Sequence, residues 1–288
     1  MKKVLVIGSS NVDYIIRTKK FPDRGETTFS ESFEYAIGGK GLNQAVAASL
    51  TGAETTFLTA LGNDNNLDYV LNELSKYNLN VKPIIKNTST GTAIIIVEDE
   101  SGENEIIVNS GANKKLDKTD IDNNIELIKN HDYILLQLEL DIKVIEYIIK
   151  IAKELDKIVI LNPAPFSILN KDVMEMCDFV TPNEGEYQKL LESNIKLNNV
   201  IVTMGSNGSK LISGDKEIKI PAHKVLAVDT TGAGDCYNGT FVGFLAQGYE
   251  ISDALNFASY ASALSVKKVG AAKSYPTKDE ILKLKASN

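Results

Sequence analysis

Between Val228 and Asp235 the chain reads Val-Asp-Thr-Thr-Gly-Ala-Gly-Asp, a turn of small residues ahead of an apolar, glycine-spaced stretch from Tyr237 to Gln247. The stretch is expected to be a helix, and the apolar run Val225–Val228 before the turn a strand. Such a turn presents bare backbone N–H groups at a helix N-terminus, which attract an anion. Gly232 and Gly234 let a ligand approach the backbone closely. Asp235 stands beside that anion site, and a carboxylate there suits proton abstraction. A tight strand–helix turn with an Asp cap is the plainer reading of the same residues.

Other constellations could serve the same chemistry. Gly38-Gly39-Lys40-Gly41-Leu42-Asn43-Gln44-Ala45 opens a helix, and three glycines around a lysine suit close approach to a polar ligand. It is not a P-loop, because Gly41 stands where Ser or Thr would be needed. Asn11 and Asp13 follow the first strand and offer donors and acceptors to neighbouring hydroxyls, as a sugar presents; an Asx turn explains them equally well. In Pro182-Asn183-Glu184-Gly185-Glu186, Asn183 and Glu186 could face hydrated Mg²⁺ and phosphate, or form a helix cap. Thr203-Met204-Gly205-Ser206-Asn207-Gly208 could lie against a nucleotide or form a hairpin turn. Cys236 begins a helix, where a thiolate would be stabilised, but neither His131 nor His223 is an evident partner for it.

The elements that must position these residues are short apolar runs with helical patterns between them. Val4–Ile7, Thr56–Leu58, Tyr133–Leu136, Ile158–Leu161, Phe179–Val180 and Val200–Thr203 read as buried strands. Leu42–Leu50, Leu67–Tyr77, Ile142–Leu155 and Glu184–Leu191 read as helices. This alternation predicts an α/β fold, a mostly parallel sheet with helices on both faces and ligands at the strand C-terminal ends. Tyr14–Ile16, Thr27–Phe29, Phe33–Ala36, Thr92–Val97 and Glu105–Val108 break the rhythm and predict a small projecting β-sheet, the last two joined by a turn at Glu100–Glu103. The expected division is a core of 1–11, 37–90 and 110–288 and a lid of 12–36 and 91–109, which could also join subunits in a homodimer. A hairpin, Lys210–Ser213 with Glu217–Ile220, is assigned to the main body.

Of 288 residues, 43% are hydrophobic and 24% charged, as in an ordinary globular protein. A net charge of -7 argues against a nucleic-acid partner held by phosphate neutralisation. Cys177 and Cys236, in no CxxC pair, suggest reduced thiols and a cytoplasmic protein. The apolar run after Met1-Lys2-Lys3 is too short for a signal peptide, and no run reaches membrane-spanning length. G-x-G-x-x-G is absent, which disfavours a dinucleotide enzyme.

Taken in order, these motifs resemble the ribokinase-like (PfkB) family of carbohydrate kinases over essentially the whole chain. The resemblance is carried by Gly38–Ala45, Leu161-Asn162-Pro163-Ala164-Pro165, Thr181-Pro182-Asn183-Glu184 and Asp229–Asp235. Leu136-Gln137-Leu138-Glu139 and Asn162–Pro165 are most similar to the family's ribose-phosphorylating branch. The resemblance implies ATP-dependent transfer to the 5-hydroxyl of D-ribose; a sister kinase for another sugar or a nucleoside, and a sugar-binding regulator without catalysis, are the alternatives. It implies Asp235 as base and Gly232, Ala233 and Gly234 as anion hole. Asn11, Asp13, Gly39, Lys40, Asn43 and Glu139 match sugar-pocket positions. Asn183 and Glu186 match the family's N-x-x-E motif, tied to Mg²⁺ and phosphate, and Thr203, Gly205 and Gly208 match the nucleotide loop. Asp229, Thr231, Ser265, Lys268, Gly270 and Ser274 match a K⁺ site, with carbonyls from Ser265, Lys268 and Gly270. Three departures are Arg24-Gly25-Glu26-Thr27 in place of Pro-Gly-Glu-Thr, a short Glu192–Asn199 segment, and Gly232 at the second position of the anion-hole turn, where the ribose branch often has Ala.

Overall fold

The computed structural model describes residues 2–101 and 103–286, so Gly102 of the expected Glu100–Glu103 turn lies outside it. The chain enters the main sheet at β1 (Val4–Ile7) and leaves at once for β2 (Asn11–Thr18) and β3 (Ser32–Gly38). It returns through α1 (Lys40–Leu50), β4 (Thr55–Gly62), α2 (Asn66–Leu74) and β5 (Asn80–Lys86), and leaves again for β6 (Gly91–Glu98) and β7 (Asn104–Asn109). Short helices α3 (Lys118–Asn123) and α4 (Ile125–Lys129) lead to β8 (Tyr133–Leu136), α5 (Ile142–Glu154) and β9 (Ile158–Leu161). Then come α6 (Lys171–Met174), β10 (Phe179–Val180), α7 (Glu184–Glu192) and β11 (Asn199–Thr203). The hairpin β12 (Ser209–Ser213) and β13 (Lys216–Ile220) precedes α8 (Ala233–Ala246), α9 (Ile251–Ser265) and α10 (Lys278–Ala286).

The main sheet has nine strands in the order β13-β12-β11-β10-β9-β8-β1-β4-β5, parallel except for the β12–β13 hairpin at one edge. Alternate residues of each strand serve opposite cores. Val4 and Val6 join Leu42, Phe241 and Phe257 in one; Leu5 and Ile7 join Ile145, Ile148 and Ile149 in the other. Burial on both faces explains the unbroken apolar runs, because no position in a central strand meets water. The second sheet, β3-β2-β6-β7, is built from the segments that broke the βα rhythm.

Three local expectations are corrected. Thr27–Phe29 belongs to neither sheet, and Phe29 is 89% exposed. Val225–Val228 is not a strand: it is an exposed crossing from the edge strand β13 to α8, with Leu226 89% exposed. It has no strand beside it to pair with; Val225 and Ala227 border a cavity, and Leu226 and Val228 are exposed. The helix expected over Leu67–Tyr77 ends at Leu74. β5 and α9 were not anticipated. Pro83 masks β5, where an edge position tolerates the missing N–H.

Candidate active site

The strands β1, β8, β9, β10 and β11 end on one side of the sheet, and the candidate residues follow those ends. Asp235 is the third residue of α8, whose N-cap Gly232 has φ 71° and ψ 6°, a left-handed conformation that favours glycine. α8 packs on α1 so closely that a Cβ on Gly239 would come 2.2 Å from the Gln44 carbonyl oxygen. This approach places Asn43 and Gln44 against Asp235. Asn43 Nδ2 donates to Asp235 Oδ2 at 3.0 Å, and Gln44 Nε2 donates to Asp235 Oδ1 at 2.9 Å. Asp235 is buried, and burial pushes its pKa up against the opposing pull of Lys40 and the two amides. Asn43 Oδ1 is buried without a partner among the described residues, an acceptor available to a ligand hydroxyl.

Lys40 begins α1, with Gly39 as its N-cap. Burial works against its charge, but Asp235, Glu139 and Glu186 outweigh burial and hold its pKa above the ordinary value. Glu139 is fixed by the Lys40 backbone N–H at 2.9 Å and by the Ser9 hydroxyl. Asp13 is pushed up to about 7, first by burial and then by the Glu139 charge. Asn11 is buried, and its Oδ1 accepts from Asn113 Nδ2 at 2.8 Å. Asn43, Lys40 and Glu139 thus act on Asp235, Asp13 lies near Glu139, and Gly39 lies against the Asn11 backbone. β2 carries Asn11 and Asp13, so the small sheet and the main body share this site.

On the other side of the turn lies a cavity of about 530 Å³. Its wall includes Thr203, Gly205 and Gly208 on one side and Ala233 and Gly234 on the other. His223 also borders it and stacks on Tyr260 at 3.7 Å between ring centroids. The same turn therefore stands between a polar, carboxylate-rich site and a mainly apolar cavity.

Asn183 and Glu186 form a reciprocal cap: Glu186 N–H donates to Asn183 Oδ1 and Asn183 N–H to Glu186 Oε2, both at 2.8 Å. Burial raises the Glu186 pKa although the Asn183 N–H and the cations Lys40 and Lys189 oppose it. The plain capping reading is thus present, and one Glu186 oxygen is left for other work. Asp229 accepts from Thr231 N at 2.9 Å and Gly270 N at 2.8 Å, and these bonds overcome burial to keep its pKa low. They draw Asp229, Thr231 and Gly270 together, while the Ser265 and Ser274 hydroxyls donate to local carbonyls and Lys268 is exposed. Among the described residues, no group of three or more His, Cys, Asp or Glu could hold a metal ion. Cys236 is buried and its thiol is pushed up to about 12, so the helix start does not yield a thiolate.

Sequence reasoning gave no separate role to Gln44, Gln137, Asn162, Ser9 or Tyr275. Gln44 had a signal, since it adjoins Asn43 within the glycine–lysine motif. Tyr275 had none; its hydroxyl reaches the Gly232 carbonyl at 2.9 Å from the far end of the chain.

Comparison with known proteins identifies the family. The pfkB family carbohydrate kinase model matches residues 1–278. The chain is 35% identical to the ribokinase of Staphylococcus aureus, covering 97% of this chain and 98% of that protein. It is 36% identical to the deoxyribokinase of Salmonella typhi, covering 95% of each. The Arabidopsis thaliana ribokinase complexed with ribose and ATP superposes with a TM-score of 0.89 at 28% identity, covering 98% of both chains. No described helix is long and apolar enough to cross a membrane. With so extended a match, the chain belongs to the pfkB family of carbohydrate kinases and is a phosphotransferase with an alcohol group as acceptor.

Proposed function

We propose that this kinase transfers the γ-phosphoryl group of ATP to the 5-hydroxyl of D-ribose. The observation that supports this best is the position of Asp235: buried, amide-held, and one residue beyond the Ala233–Gly234 wall of the large cavity. A hydroxyl bound on the Asp235 side can meet a phosphoryl group bound on the cavity side across the turn. Asp235 takes the proton as the hydroxyl oxygen bonds to phosphorus, when that oxygen has become acidic. The N–H groups of Gly232 and Gly234 stabilise the charge gathering on the transferred group, and Ala233 N–H, which donates to the Thr230 carbonyl at 3.2 Å, joins them once it turns from that carbonyl. Lys40 offsets the local excess of carboxylates. Asn11, Asp13, Gly39, Asn43 and Glu139 orient the sugar, and the small sheet limits water access and so hydrolysis of ATP. Thr203, Gly205 and Gly208 hold the nucleotide.

Two ions fit the residues present. Mg²⁺ retains waters and needs few protein oxygens, so Asn183 and Glu186 suffice to guide it through its shell. It would neutralise phosphate charge. K⁺ prefers oxygen ligands, and Asp229, Thr231 and Ser274 with the carbonyls of Ser265, Lys268 and Gly270 would supply an all-oxygen set that includes a carboxylate. It would fix the shape of the adjoining turn. The same reading makes the protein a cytoplasmic homodimer paired through its lid, with neither nucleic acid nor membrane as a partner.

Phosphorylation of deoxyribose is the second reading, favoured by the 36% identity to a deoxyribokinase. A coupled ADP-release screen over ribose, deoxyribose, hexoses and nucleosides, with and without K⁺ at constant ionic strength, tests both. Ribose should give the highest kcat/KM, several-fold lower without K⁺. A higher value for deoxyribose or a nucleoside replaces the ribose reading, and equal rates in both salts remove K⁺ from it.

A further inference from the structure

Three amides form a buried relay that ends on Asp235. Gln137 Nε2 donates to Gln44 Oε1 at 2.6 Å. Gln44 Nε2 has two hydrogens; one goes to Asp235 Oδ1 at 2.9 Å and the other to Asn162 Oδ1 at 3.0 Å. Asn162 Nδ2 donates in turn to the Thr181 carbonyl at 2.8 Å. All four side chains, Gln137, Gln44, Asn162 and Asp235, are at least 93% buried.

The relay has only one workable polarity. A primary amide has a carbonyl end that accepts and an NH₂ end that donates. If Gln44 turned over, its carbonyl would face two acceptors, Asp235 and Asn162, and its NH₂ would face the NH₂ of Gln137. Gln137 adds to the constraint set by Asp235 and Asn162, because its donor is matched to the Gln44 carbonyl. Its own Oε1 is buried without a partner among the described residues, so the orientation is kept at the expense of an unsatisfied acceptor. A group left unsatisfied in this way, on a chain of amides that leads to one carboxylate, is the mark of a constraint on that carboxylate.

We infer that Gln44 and Gln137 are positioning residues of the phosphoryl transfer: Gln44 fixes the rotamer of Asp235 so that Oδ2 is presented to the acceptor hydroxyl, and Gln137 fixes Gln44. This rests on Asp235 being the base. Neither glutamine touches the sugar or the nucleotide. Their effect falls on kcat and leaves binding in place.

The test is a pair of near-isosteric variants, Gln44→Met and Gln137→Met, each made in the native protein and with Asp235→Asn. Gln44→Met should lower kcat about tenfold, the scale of one hydrogen bond to a charged group, and Gln137→Met by less. The KM for sugar and ATP should stay within twofold. With Asp235→Asn present, neither substitution should lower kcat further, since there is no base left to aim. An acid limb in the kcat profile should also move to higher pH in Gln44→Met, because the ionised carboxylate loses a donor. The charged groups acting on Asp235 are Lys40 and Glu139, and both are unchanged in the variants; Tyr275 and Cys236 stay neutral.

A folded Gln44→Met protein with wild-type kcat, or an equal loss in the Asp235→Asn background, overturns the inference. If Asp235→Asn itself keeps full activity, the base assignment fails instead. Should the methionine variants not fold, the wild-type side-chain amide signals decide. Two slowly exchanging Gln44 protons that shift as Asp235 titrates support the relay, and a freely exchanging pair overturns it.

Discussion

At the scale of single residues, the site concentrates negative charge and then manages it by burial. Asp235, Glu139 and Glu186 all act on Lys40, and Asp13 feels the charge of Glu139. Replacement of Asp235 by Asn keeps the shape but removes the proton acceptor and leaves one accepting oxygen for the two amide donors of Asn43 and Gln44. Asp235→Asn should therefore reduce kcat by roughly 10²–10⁴, the range for a lost general base, while calorimetric affinities for ribose and ATP stay within a few-fold. Near-full kcat in this variant removes Asp235 from the role of base. Asp13 gives a separate handle through pH. Its pKa rises from 3.8 to about 7 on folding, so between these values the folded state holds a proton that the unfolded chain has released. The stability gained is complete below the unfolded value and is lost as pH rises through the folded one. Asp13→Asn should thus raise the thermal midpoint of the ligand-free protein more at pH 8 than at pH 5. An equal shift at both pH values means that Asp13 is ionised throughout.

Elements determine how those residues meet, and α8 bears the greatest demand. Its N-cap Gly232 is left-handed, and a Cβ there would come 2.5 Å from Tyr275 Oη and 2.7 Å from Ala271 Cβ. Gly232→Ala should cost about 1–2 kcal/mol in stability from the backbone alone, measured by denaturant unfolding, and more from the contacts. Adding Tyr275→Val, which vacates that space, should restore part of the loss; no recovery would mean that the tyrosine does not confine the turn. This coupling is invisible in the sequence, since residues 232 and 275 meet only after α9 has run back along α8. What could be read there was local. The strands buried on both faces, α1, α5, α7 and α8 all follow from runs whose hydrophobic period matches the element. Val225–Val228 defeated the same logic because it crosses the surface with no neighbouring strand, Val225 and Ala227 bordering a cavity and Leu226 and Val228 exposed. β5 was hidden by Pro83, and Thr27–Phe29 has β-prone residues but no partner. The glycine and lysine motifs pointed to the correct side of the sheet, whereas Gln137 and Asn162 entered only as fragments of a family resemblance. Their work lies in contacts between residues 93 and 118 positions apart.

Over the whole molecule, the small sheet is the part least able to stand alone. It is four strands with no core of its own, attached where β2, β3, β6 and β7 leave and rejoin the main body. Such a sheet needs apolar cover on at least one face to be stable. By register, Phe33 and Tyr35 of β3 share a face with Tyr14 of β2, Ile94 of β6 and Ile107 of β7. Tyr14 stacks on Phe33 at 6.1 Å, yet Phe33 is 58% and Ile107 67% exposed. A connected apolar face of this kind, with an edge strand at each side, suits association with a partner. A second copy of the same lid is the simplest cover, because a two-fold axis presents each face to its equivalent. The wild-type protein should therefore sediment as a dimer at micromolar concentration. Phe33→Glu with Ile107→Glu places two charges on each partner's face and should yield monomers. Because β2 also carries Asn11 and Asp13, a lid freed from its partner should hold the sugar less well: the KM for ribose should rise several-fold while the KM for ATP changes little. A wild-type monomer at micromolar concentration, with or without sugar, refutes the pairing, and a monomeric variant with an unchanged ribose KM shows that the lid orders itself without a partner.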